Sequence, residues 1–299
     1  VSEELTLAQT LELATDASRP VATRLDALDA LRARLVRQNL HKDAAAVARV
    51  YIDTALAEGI DDAEHYNMMF DAYRTLAPYD LHAFFIAVEW DRPVSHRFYL
   101  PRVKVLRPLA DALTDMFVYD QYDILMFSMP PRVGKTTLGI FTIAWLIGRD
   151  SDSPILATAY SEKIVKIFHH GVMEIHSDPQ YRYRDIFPNV KLVDTSAKDL
   201  TLDFRNDGGQ TVRKYKSLTC RPVDGSLTGA TEARQLLYCD DLVRDLEEAV
   251  NKDRLDFLFD KLLANVLSRK KEGCEELYIG TRWSLHDPLS RIERMHEGN

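Results

Sequence analysis

Over roughly the first ninety residues, apolar positions recur every three or four places. Leu25, Leu28, Leu31 and Leu35 form one stripe, and Ala46, Val47, Val50, Tyr51 and Ala55 a second. That spacing puts each set on one face of a helix. The region is rich in Ala, Leu, Arg and Glu and poor in Gly and Pro, which favours helix throughout. The stripes predict packing inside the molecule; the alternative is a docking face for a partner protein. Residues 91–97 are polar and interrupted by Pro93, which marks a boundary. The chain divides there into an α-helical N-terminal region (1–92) and a second domain (93–299). A new helix begins near Leu100.

Beyond that point the pattern changes to short apolar runs separated by helical stretches. Residues 155–159 read as a short buried strand, and 124–127, 235–239 and 275–280 as further strands. Residues 138–147 read as an apolar helix. Ser161 caps another helix that runs to about Ser177. Residues 200–204 and 211–216 flank Asn206-Asp207-Gly208-Gly209, a hairpin signal. A long helix is expected over residues 246–268. Strands alternating with helices predict an α/β fold with a mostly parallel sheet flanked by helices.

The richest chemistry lies between residues 124–127 and 138–147. There the chain reads Ser128-Met129-Pro130-Pro131-Arg132-Val133-Gly134-Lys135-Thr136-Thr137. Strand, tight loop, Gly-Lys-Thr and helix form the grammar of a P-loop, which cradles nucleotide phosphates on backbone N–H groups and a helix N-terminus. The cradle would run from Pro131 through Thr137. Lys135 supplies a charge for the outer phosphates, and the Thr136 hydroxyl is placed to hold Mg²⁺. Met129 stands where the standard motif has Gly.

Such a site needs carboxylates. Asp240 closes the 235–239 strand, which is expected to run beside the 124–127 strand and end at the same edge, and suits the metal; Asp241 next to it suits activation of water, with Glu247 and Glu248 as fallbacks. Thr281 and Arg282 close a further strand at the same edge and can couple to the terminal phosphate. Arg132 can neutralise transition-state charge from within the loop. The expected cofactors are therefore ATP and Mg²⁺.

Bulk properties narrow the partners. The 299 residues carry a net charge of −8, with 46% hydrophobic and 28% charged residues, which suits a globular protein and argues against a uniformly basic DNA binder. Cys220, Cys239 and Cys274 are odd in number and lack paired spacing, so neither a disulfide framework nor a zinc site is expected. The N-terminus is acidic and lacks the apolar stretch of a signal peptide. The longest apolar run, residues 138–147, is too short for a bilayer, so no membrane association is expected.

Taken in order, four segments are more specific than any one alone. The Met129–Thr136 loop resembles the Pro-Pro-Arg-x-Gly-Lys-Ser/Thr loop of tailed-phage terminase large subunits. Ala157-Thr158-Ala159-Tyr160-Ser161 is similar to the strand and helix start that follow it. Gly225-Ser226-Leu227-Thr228-Gly229-Ala230 and then Leu236 to Asp241 resemble the Thr-Gly segment and Walker B strand, and Ile279-Gly280-Thr281-Arg282-Trp283-Ser284 the coupling motif. The resemblance spans about residues 101–291. It implies a P-loop NTPase that drives double-stranded viral DNA into a procapsid. It also implies a homo-oligomeric ring, usually a pentamer, docked on the portal protein and served by a small terminase subunit. Such a ring would work in the host cell cytoplasm, transiently at the portal vertex. Under that resemblance Lys135 and Thr136 bind Mg-ATP, Asp240 is the Walker B carboxylate, Thr281 couples hydrolysis to movement, and Arg132 senses the γ-phosphate. Asp241 stands where many relatives carry Glu. The family's nuclease domain has no counterpart in these residues, so no nuclease activity is expected of them.

Three basic clusters could touch DNA phosphates: Arg269-Lys270-Lys271; Lys163, Lys166, His169 and His170; Arg182 and Arg184. Phe98, Tyr99 and Arg102 lie upstream of the loop as weak candidates for base or ribose contacts. Two other functions compete: another nucleic-acid-stimulated ATPase such as a helicase, and a scaffold that binds nucleotide without turnover.

Overall fold

The first leucine stripe is a buried helix face, while the second is rotated from its expected position. These helices belong to a computed structural model that describes residues 6–60, 63–207, 213–225 and 231–296. Helix α1 (Leu7–Thr15) starts on a reciprocal Thr6–Gln9 cap. In α2 (Val21–Arg37), Leu25, Leu28, Leu31 and Leu35 are all buried. In α3 (His41–Ala57) the buried face is Ala44, Ala45, Ala48, Tyr51, Ile52 and Ala55; Val50 is exposed, and so is Ala46. An alanine-rich helix offers several weak stripes, and Tyr51 with Ile52 fixes which one turns inward. Two more helices, α4 (Ala63–Leu76) and α5 (Leu81–Val88), complete this layer.

The layer shares one continuous core with the rest of the chain. Phe84 of α5 packs on Tyr183 and Phe187, and Phe85 on Phe141. The Trp145 indole donates to the Ala77 carbonyl at 2.8 Å. The polar segment 91–97 is tied down: Arg97 donates to the Trp90 and Arg92 carbonyls, and the N–H groups of Phe98 and Tyr99 donate to buried Glu89.

Helix α6 (Val103–Tyr119) leads into β1 (Ile124–Ser128), followed by α7 (Lys135–Arg149), β2 (Ile155–Ala159), α8 (Glu162–Ser177) and short α9 (Tyr183–Ile186). Ser161 accepts from the Ile164 N–H at the start of α8, as its position predicts. Then come β3 (Val190–Ser196), β4 (Thr201–Asn206), β5 (Leu218–Pro222), β6 (Leu236–Asp240), α10 (Leu246–Ala249), α11 (Lys252–Lys261), β7 (Glu275–Gly280) and α12 (Pro288–His296). The sheet order is β1-β7-β6-β2-β5-β4-β3. The first five are parallel; β4 runs antiparallel to β5 and β3 to β4. Alternation along β6 shows helices on both faces. Leu236 and Tyr238 join the core that holds α7, and Leu237 and Cys239 join the one that holds α11.

Three expectations change. The Asp240 strand does not lie beside β1, because β7 is inserted between them; all three still end at one edge. Residues 213–216 are not strand, and β4 pairs instead with β5; Gly208, Gly209 and residues 211–212 of the expected hairpin lie outside the described residues. The helix expected over 246–268 breaks at Val250-Asn251, where the Asn251 side chain caps α11, and its last turns are π and 3₁₀. Among the described residues no helix is long and apolar enough to cross a membrane.

Candidate functional site

The carboxyl ends of β1, β7 and β6 meet at one edge of the sheet, where parallel α/β sheets hold their ligands. The chain leaves β1 through a loop held to β7 by the Met129 N–H, which donates to the Gly280 carbonyl at 2.9 Å. Two backbone positions in this loop are left-handed, Arg132 at φ 67° and Gly134 at φ 99°. At Gly134 glycine is required twice over, because a Cβ would also sit 2.6 Å from the Phe98 ring. No side chain caps α7, so the N–H groups of Lys135, Thr136 and Thr137 have no intrahelical acceptor. With the helix dipole they favour an anion.

Lys135 is buried, and its ammonium spends its donors on the protein. It reaches Thr281 Oγ1 at 2.7 Å, Asp241 Oδ1 at 3.0 Å and the Met129 carbonyl at 3.4 Å. Thr281 is the hinge of this cluster. Its N–H donates to the same Asp241 oxygen at 2.9 Å, and its hydroxyl to the Met129 carbonyl at 3.2 Å. Asp241 adopts φ 36°, a conformation Asp tolerates better than most residues, and its N–H donates to the Ile279 carbonyl.

Beneath this cluster Thr136 Oγ1 donates to Asp240 Oδ2 at 2.7 Å. Asp240 is fully buried, and its Oδ1 has no hydrogen-bond partner. Burial pushes its carboxyl up to about 7; the negative charge of Asp241 adds to that, while the Thr136 hydroxyl, Lys135 and the nearby Tyr238 hydroxyl oppose it. The other buried carboxylates are Asp80, Glu89, Asp203, Glu232, Glu276 and Asp287, and none has an unpartnered oxygen among the described residues. A hydroxyl beside a carboxylate with a free oxygen is a hard-oxygen donor set. It fits Mg²⁺, which takes one or two protein ligands and completes its shell with phosphate and water. No group of three or more His, Cys, Asp or Glu side chains gathers for a metal among the described residues.

A cavity of about 400 Å³ opens over these groups, a volume suited to a small ligand. Size alone does not select it, since a polar depression beside Arg213 is about 490 Å³; convergent chemistry does. Pro131, Arg132, Gly134, Lys135, Thr136 and Thr137 line it from the loop and α7, and Asp241 and Thr281 from the other two strands. Val133 lies within the loop. Arg132 makes no ion pair among the described residues.

Other expected residues are elsewhere. Arg282 pairs with Glu293 on α12 at 2.8 Å. Glu247 is exposed on α10. Glu248 accepts from the Arg244 N–H and from Arg254 Nε, both at 2.7 Å. Neither glutamate lines the cavity. Tyr99 is fully buried, with its hydroxyl on His82 Nδ1. Arg102 stacks on Phe98. Sequence reasoning missed Val243 and Arg244 and gave Trp283 of the coupling motif no role of its own; all three also line the cavity. Arg244 sits three residues past Asp241, a cation close behind an acidic pair, and that proximity was the available signal.

Most of the expected DNA-contacting side chains are engaged within the protein. Lys270 pairs with Glu276, Lys271 with Glu232, Lys166 with Glu162, and Arg182 with Asp91 and Asp185. His169 is buried against the Thr201 carbonyl. Residues 226–230 of the Thr-Gly segment lie outside the described residues. No protein-family model matches the chain, and no curated protein matches it.

Proposed function

We propose that the chain is a Mg²⁺-dependent ATPase with a P-loop fold that moves double-stranded DNA, the motor subunit of viral genome packaging. One observation carries the ATPase reading. The buried Asp240, which does not itself line the cavity, has an oxygen without a hydrogen-bond partner beside Thr136, and Thr136 lines the cavity together with an uncapped helix start and a buried lysine. Its support for the packaging role is the ordered set of motifs from Met129 to Ser284.

The chemistry follows from the contacts. Triphosphate oxygens arriving at α7 compete for the Lys135 ammonium and draw it from Asp241 and Thr281. Asp241 is then free to accept a proton from water as the water oxygen attacks the terminal phosphorus and the bond to the bridging oxygen breaks. Arg132 lies in the same cavity, where it can offset charge on the phosphoryl oxygens. Thr136 and Asp240 would hold Mg²⁺, which supplies charge neutralisation on the outer phosphates. Because Thr281 touches both Lys135 and Asp241, a change in either is felt at β7.

The test is steady-state ATP hydrolysis with and without duplex DNA, with Lys135→Ala as the control. Turnover that needs Lys135 and rises with duplex, without strand separation, is expected. Strand separation would move the reading to a helicase. Nucleotide binding without Lys135-dependent turnover would move it to an assembly scaffold.

A further inference from the structure

We propose that Arg244 is a second phosphate-contacting cation of this cavity and reads the terminal phosphate of a nucleoside triphosphate; the proposal rests on the ATPase reading above. Arg244 lies on the loop between β6 and α10 and lines the same cavity as Lys135. Lys135 enters from α7, whose free N–H groups suit the inner phosphates. Arg244 enters from the strand that delivers Asp241, the carboxylate assigned to the attacking water, and so serves the phosphate under attack.

The surrounding residues hold this side chain ready. Asp245 Oδ2 accepts from Arg244 Nε at 2.7 Å, which fixes the plane of the guanidinium. The Arg244 backbone N–H is held by Glu248 Oε2, Glu248 Oε1 is held by Arg254, and the Glu248 N–H donates to Asp245 Oδ1 at 2.9 Å. Asp245 and Glu248 are thus committed to positioning the loop, and exposed Glu247 adds negative charge near Arg244 without a hydrogen bond to it among the described residues. The two Nη groups of Arg244 have no protein partner among the described residues, and the side chain is 57% exposed. A guanidinium fixed at Nε and open at both Nη atoms presents the two-pronged donor that matches a phosphate. Glu248, which lies outside the cavity, is the positioning residue for this arginine.

The experiment compares Mg-ADP with the Mg-bound β,γ-imido analogue of ATP, by calorimetry on the full chain. Arg244→Ala is expected to weaken the analogue by about tenfold to a hundredfold, as loss of a charge-assisted hydrogen bond does. ADP affinity is expected to change less than about twofold, because the contact is to the third phosphate. Arg244→Lys should recover part of the loss, and Glu248→Ala should weaken the analogue selectively but less. Equal weakening of both nucleotides by Arg244→Ala would assign the residue a structural role and overturn the proposal, as would unchanged analogue affinity. Failure of the unaltered chain to bind either nucleotide would overturn the ATPase reading and this proposal together. Normal binding with no Arg244-dependent discrimination would overturn this proposal alone.

Discussion

Asp80 in the helical layer and Asp240 at the sheet edge are both buried carboxylates, and the protein treats them in opposite ways. Asp80 Oδ1 accepts from the Ala83 N–H at the start of α5, and its Oδ2 pairs with Arg49 at 2.8 Å. Asp240 has the Thr136 hydroxyl on Oδ2 and no hydrogen-bond partner on Oδ1, with the Tyr238 hydroxyl, also without a partner, near the carboxylate. A buried charge without full compensation is costly. The helical layer satisfies its own carboxylates, whereas the sheet edge leaves one oxygen of Asp240 without a hydrogen-bond partner. Under the proposed ATPase reading the contrast separates a structural region from a ligand site, and substitutions in the two should separate in the same way.

The largest expected effect is on activity. Lys135→Ala should lower ATP turnover by about a thousandfold or more, equivalent to roughly 4 kcal/mol of transition-state stabilisation. Its unfolding free energy should move by less than about 1 kcal/mol, since Asp241 is partly exposed and can be hydrated. A large stability loss in urea titration would mean that the Lys135 cluster is structural, and would erase the contrast. Phe84→Ala is the reverse case. Phe84 is fully buried and bridges α5 to Tyr183 and Phe187, so its loss should cost about 3–5 kcal/mol. Nucleotide affinity of the folded variant should stay close to that of the parent. Weakened binding would show that the helical layer helps to shape the site.

A sharper comparison uses one substitution in both places. Asp80→Asn removes the charge that Arg49 answers and should cost about 1–3 kcal/mol of stability. Asp240→Asn removes a charge that burial disfavours while leaving an acceptor for Thr136, so stability should change by about 1 kcal/mol or less. Mg²⁺-dependent stabilisation by nucleotide, read as the rise in melting temperature, should disappear in Asp240→Asn and persist in Asp80→Asn. Equal behaviour of the two variants would remove the distinction between the regions.

The same two regions differ in how far the sequence describes them. The strands that end at the sheet edge carry apolar runs, half-buried in β1 and buried in β6 and in β7 after Glu275-Glu276, and each run stops at polar residues where the edge is reached. Asp240-Asp241, Thr281 and the Gly134-Lys135-Thr136 turn could therefore be located by local pattern alone. Strand order could not, because the placement of β7 between β1 and β6 depends on contacts far apart in the chain. For Arg244 the one local signal was its place three residues past Asp241; a surface arginine has no periodic signature, and the role proposed for it depends on Asp245 and Glu248 being occupied. In the helical layer the stripe of α2 was plain because it is made of leucines. The face of α3 was not, because alanines mark several faces equally. The contact of Phe98 with Gly134 was likewise invisible, since nothing local in either segment requires the other.

The smallest expected effect tests whether the helical layer is electrostatically quiet near neutral pH. His82 is partly buried, with Nδ1 on the Tyr99 hydroxyl at 2.7 Å. Burial pushes its pKa down to about 4, and the positive charge of Arg107 adds to that while Asp80 and Asp111 oppose it. Because this value lies below the 6.5 of an unfolded chain, the unfolded state binds the proton more readily between the two. His82 therefore costs nothing above pH 6.5, and stability falls as pH drops from about 6.5 to about 4, levelling below. With allowance for solvent screening of a ring that is only partly buried, the loss should be about 1–2 kcal/mol. His82→Gln should flatten that part of the stability–pH curve, measured by urea unfolding across this range, and leave nucleotide affinity at pH 7.5 unchanged. An unchanged acid limb would show that protonation of His82 is accommodated within the fold. A change in nucleotide affinity would link the His82–Tyr99 pair, through neighbouring Phe98 and its contact with Gly134, to the cradle itself.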